Sequence, residues 1–205
     1  MFALIPAAGH STRMGRPKLA LPFGGSTVLE CVIAALRTGG VERILVVCGP
    51  RAPELVPLAL NGGAQVLVLT EPTPDMRATI EHGLAWAEHE WRPSPEDAFL
   101  LVPADHPTID SEVVRRLTET GLASRSRSIA IPTYQGKRGH PTLIAWKHVS
   151  GIRSLPPDVG LNRYLRGHAA ETVELLVESD SVLIDLDTPE DYELLLARYS
   201  STPPQ

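Results

Sequence analysis

Three stretches of the sequence hold residues suited to a charged substrate. In "AAGHSTRMGRPK" the small residues Ala7, Ala8, Gly9 and Ser11 precede Arg13, Arg16 and Lys18. Small residues let a ligand approach the main chain and can turn N–H groups toward an anion, as anion-binding nests do. Arg13 could grip a phosphate through two parallel hydrogen bonds, while Lys18 would act as a compact point charge. The spacing is neither G-x-x-x-x-G-K-[ST] nor G-x-G-x-x-G, so neither a P-loop ATPase nor a dinucleotide fold follows from it. The competing reading is a surface turn with solvated cations.

The other two stretches supply carboxylates: "PADHP" contains Asp105, and "DLDTPED" contains Asp185 and Asp187. Two oxygen ligands completed by substrate phosphates are a usual way for a protein to hold Mg²⁺. Asp105 is the expected ligand, with Asp185 as its partner and Asp187 as the alternative. Strand alternation would put Asp185 and Asp187 on one face. Structural roles compete here too: Asp105 as a turn residue between Pro103 and Pro107, Asp187 as a helix-start residue complementing the dipole before Pro189. The seven histidines show no metal-ligand spacing, and His106 and His140 read as polar neighbours of the site rather than bases. Neither G-x-S-x-G nor a cysteine-nucleophile context is present, so covalent catalysis has no support.

These residues must be positioned by the elements around them. Residues 2–5 read as a short buried strand. Thr27 and Glu30 fit a capping box for a helix in which Val28, Leu29, Val32, Ile33 and Leu36 recur with helical period, stopped by Gly39 and Gly40. Residues 44–48, "ILVVC", are apolar throughout, as in a strand covered on both faces. The alternation continues with a short helix at 52–60 and a strand at 65–70. A helix from about Pro74 sets Met76, Ile80, Leu84, Ala87 and Trp91 along one side. A strand at 98–102 and a helix marked by Val113, Val114 and Leu117, ended by Gly121, complete the series. Four strand-then-helix units predict an α/β fold, a three-layer, doubly wound, mostly parallel sheet. Ligands in such sheets bind beyond the carboxyl ends of the strands, where all three stretches fall.

After Ser128 the rhythm changes. Residues 129–132, the "QGKRGHP" loop and 142–146 predict an antiparallel excursion in the C-terminal half, followed by strands at 173–177 and 182–186. Thr188 should cap a last helix with Pro189 at its first position. Residues 1–199 read as a single domain and 200–205 as a disordered tail.

The 205-residue length suits one domain with a real core. A net charge of -5 argues against general nucleic-acid binding and makes the cationic cluster in the first loop a local feature. Cys31 and Cys48 stand in apolar surroundings without C-x-x-C spacing and read as reduced thiols. The apolar start is too short for a signal peptide, and no stretch reaches membrane-spanning length. The expected setting is cytoplasmic, with no membrane partner.

Taken together, these residues resemble the nucleotidyltransferases of molybdenum-cofactor biosynthesis, especially the cytidylyltransferase group. The family opening L-A-A-G-x-S-x-R-M-G-x-x-K stands here as "IPAAGHSTRMGRPK", with Pro6 in place of the leading Leu. Asp-x-Pro appears as "PADHP", with Ala104 where Gly is usual. "RGHPTLI", "DVGLNRYL" and "DLDTPEDY" match the R-G-x-P, D-x-G-x-R-x-L and D-x-D-T-P-E-D segments, so the likeness covers nearly the whole chain. It implies that Gly9, Ser11, Arg13 and Lys18 bind a nucleoside triphosphate, with Ala7 and Ala8 beside them. It also implies that Asp105 with Asp185 or Asp187 holds Mg²⁺, and that Arg138, Gly139 and His140 lie toward a phosphorylated acceptor. The implied reaction moves CMP from CTP onto the phosphate of molybdenum cofactor, with a molybdoenzyme or its chaperone as a further partner. A sugar-phosphate nucleotidyltransferase and a non-catalytic nucleotide sensor are the alternatives. One departure stands out: between Glu71 and Leu84 the family has Asn-Pro, a Gly and paired serines near base and acceptor, where this chain reads "EPTPDMRATIEHGL".

Overall fold

In the computed structural model, residues 1–9, 14–120, 127–156 and 159–200 are described. β1 (Phe2–Ala7) leads into the first loop, which ends in a 3-10 turn at Lys18–Ala20. A two-residue hairpin follows, β2 (Pro22–Phe23) and β3 (Ser26–Thr27), and then α1 (Val28–Thr38). The predicted capping box is present: Thr27 accepts from the Glu30 N–H while the Glu30 carboxylate accepts from the Thr27 N–H. Next come β4 (Ile44–Cys48), α2 (Leu55–Asn61), β5 (Gln65–Val68), α3 (Met76–Trp91), β6 (Ala98–Leu101) and α4 (Ser111–Thr120). The C-terminal half holds β7 (Ile129–Tyr134), β8 (Lys137–Arg138), β9 (Thr142–Ala145), α5 (Val149–Arg153), α6 (Leu161–Gly167), β10 (Thr172–Leu176) and α7 (Pro189–Ser200).

One sheet carries these strands in the order β10-β7-β9-β6-β1-β4-β5, with β8 paired to β7. β1 lies parallel to both β4 and β6, with Ile5 opposite Val46 and Leu4 opposite Leu101. The antiparallel excursion is β9, which runs against both β6 and β7. Alternation explains why β1 is apolar at every position. Ala3, Ile5 and Ala7 join the core under α1, α2, α4 and α7, whereas Phe2 and Leu4 join the core under α3, α5 and α6. The α3 layer lies close to the sheet: a Cβ at Gly83 would stand 2.5 Å from a Leu4 methyl. β1 is thus fixed from both faces, and its carboxyl end delivers the first loop at mid-sheet.

Three expectations need correction. Residues 182–186 form no strand; a 3-10 turn occupies Asp180–Leu183. The main-chain groups there serve neighbouring loops instead of a ladder: the Val182 carbonyl accepts from His140 N–H (2.8 Å), and Leu186 N–H donates to the Asp105 carbonyl (2.9 Å). Asp185 and Asp187 therefore owe their placement to loop packing rather than to strand alternation. Met76, expected on the buried side of α3, is 58% exposed, because the first turn of that helix opens onto a cavity. Finally, α7 runs through Ser200, one residue past the predicted domain end. Its start is capped as expected, with Thr188 Oγ1 accepting from Asp191 N–H (3.2 Å) and the Asp191 carboxylate accepting from Thr188 N–H (2.8 Å). The rest of the predicted tail and the Gly121 stop lie outside the described residues. Both cysteines are free thiols, and burial, with Glu54 nearby, pushes the Cys48 thiol up to about 11. Among the described residues, no helix is long and apolar enough to cross a membrane.

Candidate active site

Lys18 opens the 3-10 turn after the first loop, Asp105 sits in the loop beyond β6, and Asp187 stands two residues before α7. Their side chains meet: Lys18 Nζ donates to Asp105 Oδ2 at 2.6 Å and to Asp187 Oδ1 at 2.9 Å. Burial alone would lower the Lys18 pKa, but hydrogen bonds and charge attraction from the two carboxylates outweigh it, and the net shift is upward. Lys18 therefore stays an ammonium well past neutral pH. The loops that bring these groups together are tied through the main chain, by the Leu186–Asp105 and His140–Val182 bonds described above. A further bond runs from Thr108 Oγ1 to the Ser181 carbonyl (3.3 Å).

Asp105 and Asp187 line a cavity of about 630 Å³ at the carboxyl ends of the central strands. Asp185, His106 and His140 share its wall, while Pro6, Met76, Ile80 and Leu161 supply apolar surface. The Asp185 carboxyl is raised by burial and then by the negative charge of Asp187. His106 lies with Nε2 3.9 Å from Asp105 Oδ1, and its ring stands edge-on to His140 with centroids 5.1 Å apart. Burial lowers both imidazoles; His140 falls to about 4, with the neighbouring His106 as the next cause. His140 is thus neutral at pH 7. A second cavity of about 390 Å³ adjoins the first loop between Ala8, Gly9, Gly15, Arg16, Gly49 and Arg51. A third, of about 440 Å³, shares His140 and Asn162 with the 630 Å³ cavity.

Lys18, Asp105, Asp187, Asp185 and His140 are thus assembled around one region. Ala8 and Gly9 face the cavity beside the first loop, whereas Ala7 is buried as the last residue of β1. Ser11 and Arg13 lie outside the described residues. Arg138 stands apart from Asp105, Asp185 and Asp187: its guanidinium pairs with Glu174 at 2.9 Å, and of the three cavities described it lines the third. At Gly139 an added Cβ would come within 2.4 Å of the Val182 carbonyl, so this glycine permits the approach of two loops. Asp75, Arg77 and Asn162 also line the main cavity and were not singled out by sequence reasoning. The one signal toward the first two was the unusual reading of residues 71–84.

Comparison with known proteins agrees with this arrangement. Residues 3–173 match the MobA-like NTP transferase domain. The chain belongs to that family. It is accordingly a nucleotidyltransferase, and the mostly parallel sheet with flanking helices is the architecture shared with solved nucleotidyltransferases. It is 26% identical over 199 residues to the molybdenum cofactor cytidylyltransferase of Escherichia coli K12, covering 96% of each chain. It is 30% identical over 153 residues to the molybdenum cofactor guanylyltransferase of Rhizobium meliloti, covering 70% of this chain and 62% of that one. Among solved structures, the manganese complex of Rv0371C from Mycobacterium tuberculosis superimposes with a TM-score of 0.74 at 25% identity, covering 96% of this chain and 97% of that one.

Proposed function

We propose that this nucleotidyltransferase moves CMP from CTP onto the phosphate of a small acceptor, with molybdenum cofactor as that acceptor, and releases pyrophosphate. The observation that carries the reading is the meeting of Lys18 with Asp105 and Asp187, two carboxylates that line the 630 Å³ cavity. The 26% likeness to a molybdenum cofactor cytidylyltransferase over almost the full length supports the choice of nucleotide and acceptor.

An acceptor phosphate is already nucleophilic near neutral pH, so attack on the α-phosphorus needs no strong base. The barrier lies in bringing two anions together and in the charge that builds on departing pyrophosphate. Electrostatic preorganisation and positioning address both. Lys18, held by two carboxylates, keeps its positive charge at the place where that negative charge develops. His140, neutral at pH 7, offers hydrogen bonding rather than charge to the acceptor. Arg13 and Ser11 belong to the same scheme as phosphate contacts, and Ala8 and Gly9 leave the main chain open to the triphosphate.

The residues present fit a divalent cation. Asp105, Asp187 and Asp185 are oxygen donors of the kind that hard cations prefer, and all three line one cavity. Among the described residues, no three His, Cys, Asp or Glu side chains form a ready-made metal cage. That suits an ion whose coordination substrate phosphates complete. When bound, such an ion, Mg²⁺ in this proposal, would draw charge from the triphosphate oxygens. Asp105 with Asp187 would hold it, and Asp185 stands beside them.

A thermal-shift panel of CTP, GTP, UTP and ATP with Mg²⁺ tests the binding half before any acceptor is added. CTP should raise Tm most, and molybdenum cofactor should then trigger pyrophosphate release. If none of the four nucleotides shifts Tm and no pyrophosphate appears, the proposal fails.

A further inference from the structure

The wall of the main cavity formed by α6 is tied down from across the opening by one residue of α3. Arg77 is the second residue of that helix, where a cation opposes the helix dipole. Its Nη1 instead donates to three main-chain carbonyls in the connection from α5 to α6: Pro156 at 2.6 Å, Leu155 at 3.1 Å and Val159 at 3.2 Å. Leu155 and Pro156 lie just past the C-cap Ser154 of α5, and the Pro156 carbonyl also accepts from the Val159 N–H at 3.0 Å. Glu81, one turn further along α3, steadies the guanidinium at 3.3 Å, and the Arg77 side chain is only 15% exposed. The first residues of α6, Leu161 and Asn162, line the cavity that holds Asp105 and Asp187, and Asn162 also lines the neighbouring one beside His140.

We propose that Arg77 is a positioning residue. By gripping the carbonyls that precede α6, it sets how far that helix stands from α3, and hence the width of the acceptor side of the cavity. It touches no reacting atom. The inference rests on the nucleotidyl-transfer reading above and deepens it by naming a residue that governs acceptor fit. Lysine keeps the charge but not the planar fork, so it replaces the grip only in part.

The test compares wild type, Arg77→Ala and Arg77→Lys in two measurements. Pyrophosphate release with CTP and molybdenum cofactor yields KM for each substrate; amide hydrogen exchange of residues 159–167 reads the wall directly, without turnover. Arg77→Ala should raise the acceptor KM on the order of tenfold, with the KM for CTP and kcat at saturating acceptor within about twofold of wild type. Exchange at 159–167 should quicken, and Arg77→Lys should fall between the two. An unchanged acceptor KM, an equal rise in the KM for CTP, or unaltered exchange would overturn the proposal. Quickened exchange in a protein whose wild type releases no pyrophosphate would uphold the tether and sink the transfer reading alone. Should Arg77→Ala not fold, Arg77→Lys carries the same comparison at smaller amplitude.

Discussion

Two polar clusters lie at opposite ends of the sheet, and they are built on opposite plans. Asp105 follows the end of β6; Ser128 and His148 flank the strands β7 and β9 at the other end, where Ala145 pairs with Ala98. In that rear cluster, Tyr164 OH meets His148 Nδ1 (3.0 Å), His148 Nε2 meets Ser128 Oγ (2.7 Å), and Ser128 Oγ donates to Glu171 (2.7 Å). With the proton on His148 Nε2, a tautomer assigned from the network, every donor finds an acceptor. Ser, His and Glu together suggest a nucleophile set, but the serine proton runs to the acid and not to the imidazole, and Ser128 is buried. The front cluster is not closed in this way. His106 and His140 each have a buried Nδ1 with no hydrogen-bond partner among the described residues, and three carboxylates crowd one cavity. The rear cluster closes its hydrogen bonds within itself, whereas the front one sets three carboxylates on a cavity wall beside two buried imidazole nitrogens without hydrogen-bond partners among the described residues.

The largest expected effect that can break this contrast comes from Asp105→Ala. Turnover should fall on the order of 10²–10³, as for loss of one preorganised electrostatic contact, with the circular dichroism spectrum retained. Near-wild-type pyrophosphate release would remove Asp105 from the machinery. Lys18→Ala should slow turnover somewhat less, by about 10–10²; steady-state kinetics with CTP measure it, and an unchanged rate would demote the ammonium to a structural tie. Asp187→Asn should cost more turnover than Asp185→Asn, since Asp187 alone of the two pairs with Lys18 in the hydrogen bonds described here. The reverse order would pass the role to Asp185. At the rear, Ser128→Ala should leave kcat within about twofold while lowering stability by about 1–3 kcal/mol, because it strands a buried imidazole donor. Chemical denaturation reads that cost.

The smallest effect is a pH dependence of the rear cluster. Burial lowers the His148 pKa, so the folded state favours the neutral ring; that stability is complete above the ordinary value of 6.5 and declines as pH falls below it. Glu171 is held down to about 2, first by its hydrogen bond from Lys147 and then by Ser128. Its share is present above 4.5 and is lost as pH falls toward about 2. Glu171→Gln should flatten the lower part of a Tm-against-pH curve, and an unaltered curve would mean the contact contributes nothing to folding.

Much of the architecture was legible because single residues carried it. The unbroken apolar run of β4 and the reciprocal Thr27–Glu30 cap needed no tertiary context. The run from Val182 to Leu186 misled because four of its five residues are apolar, as in a buried strand, while its main chain is engaged by loops distant in sequence. The short helices α5 and α6 lacked enough length to show a period. At the site, the residue types were readable, but the pairing was not: Lys18 was expected at a phosphate and is found between two carboxylates. Arg77 was invisible for a similar reason, since an arginine near a helix start reads as a solvated charge until its carbonyl partners are known.

The bond from Leu186 to Asp105 has a companion in Tyr192 OH, which donates to the carbonyl of Pro22 at 2.6 Å. These two bonds fasten the last segment of the chain to the loop beyond β6 and to β2. A polypeptide interrupted after β10 would possess every strand of the sheet and still miss the second carboxylate around Lys18. The same cut would remove Val182, Leu186, Tyr192 and Leu195 from the core, so the last segment of the chain completes the packing of the sheet and the charged site together.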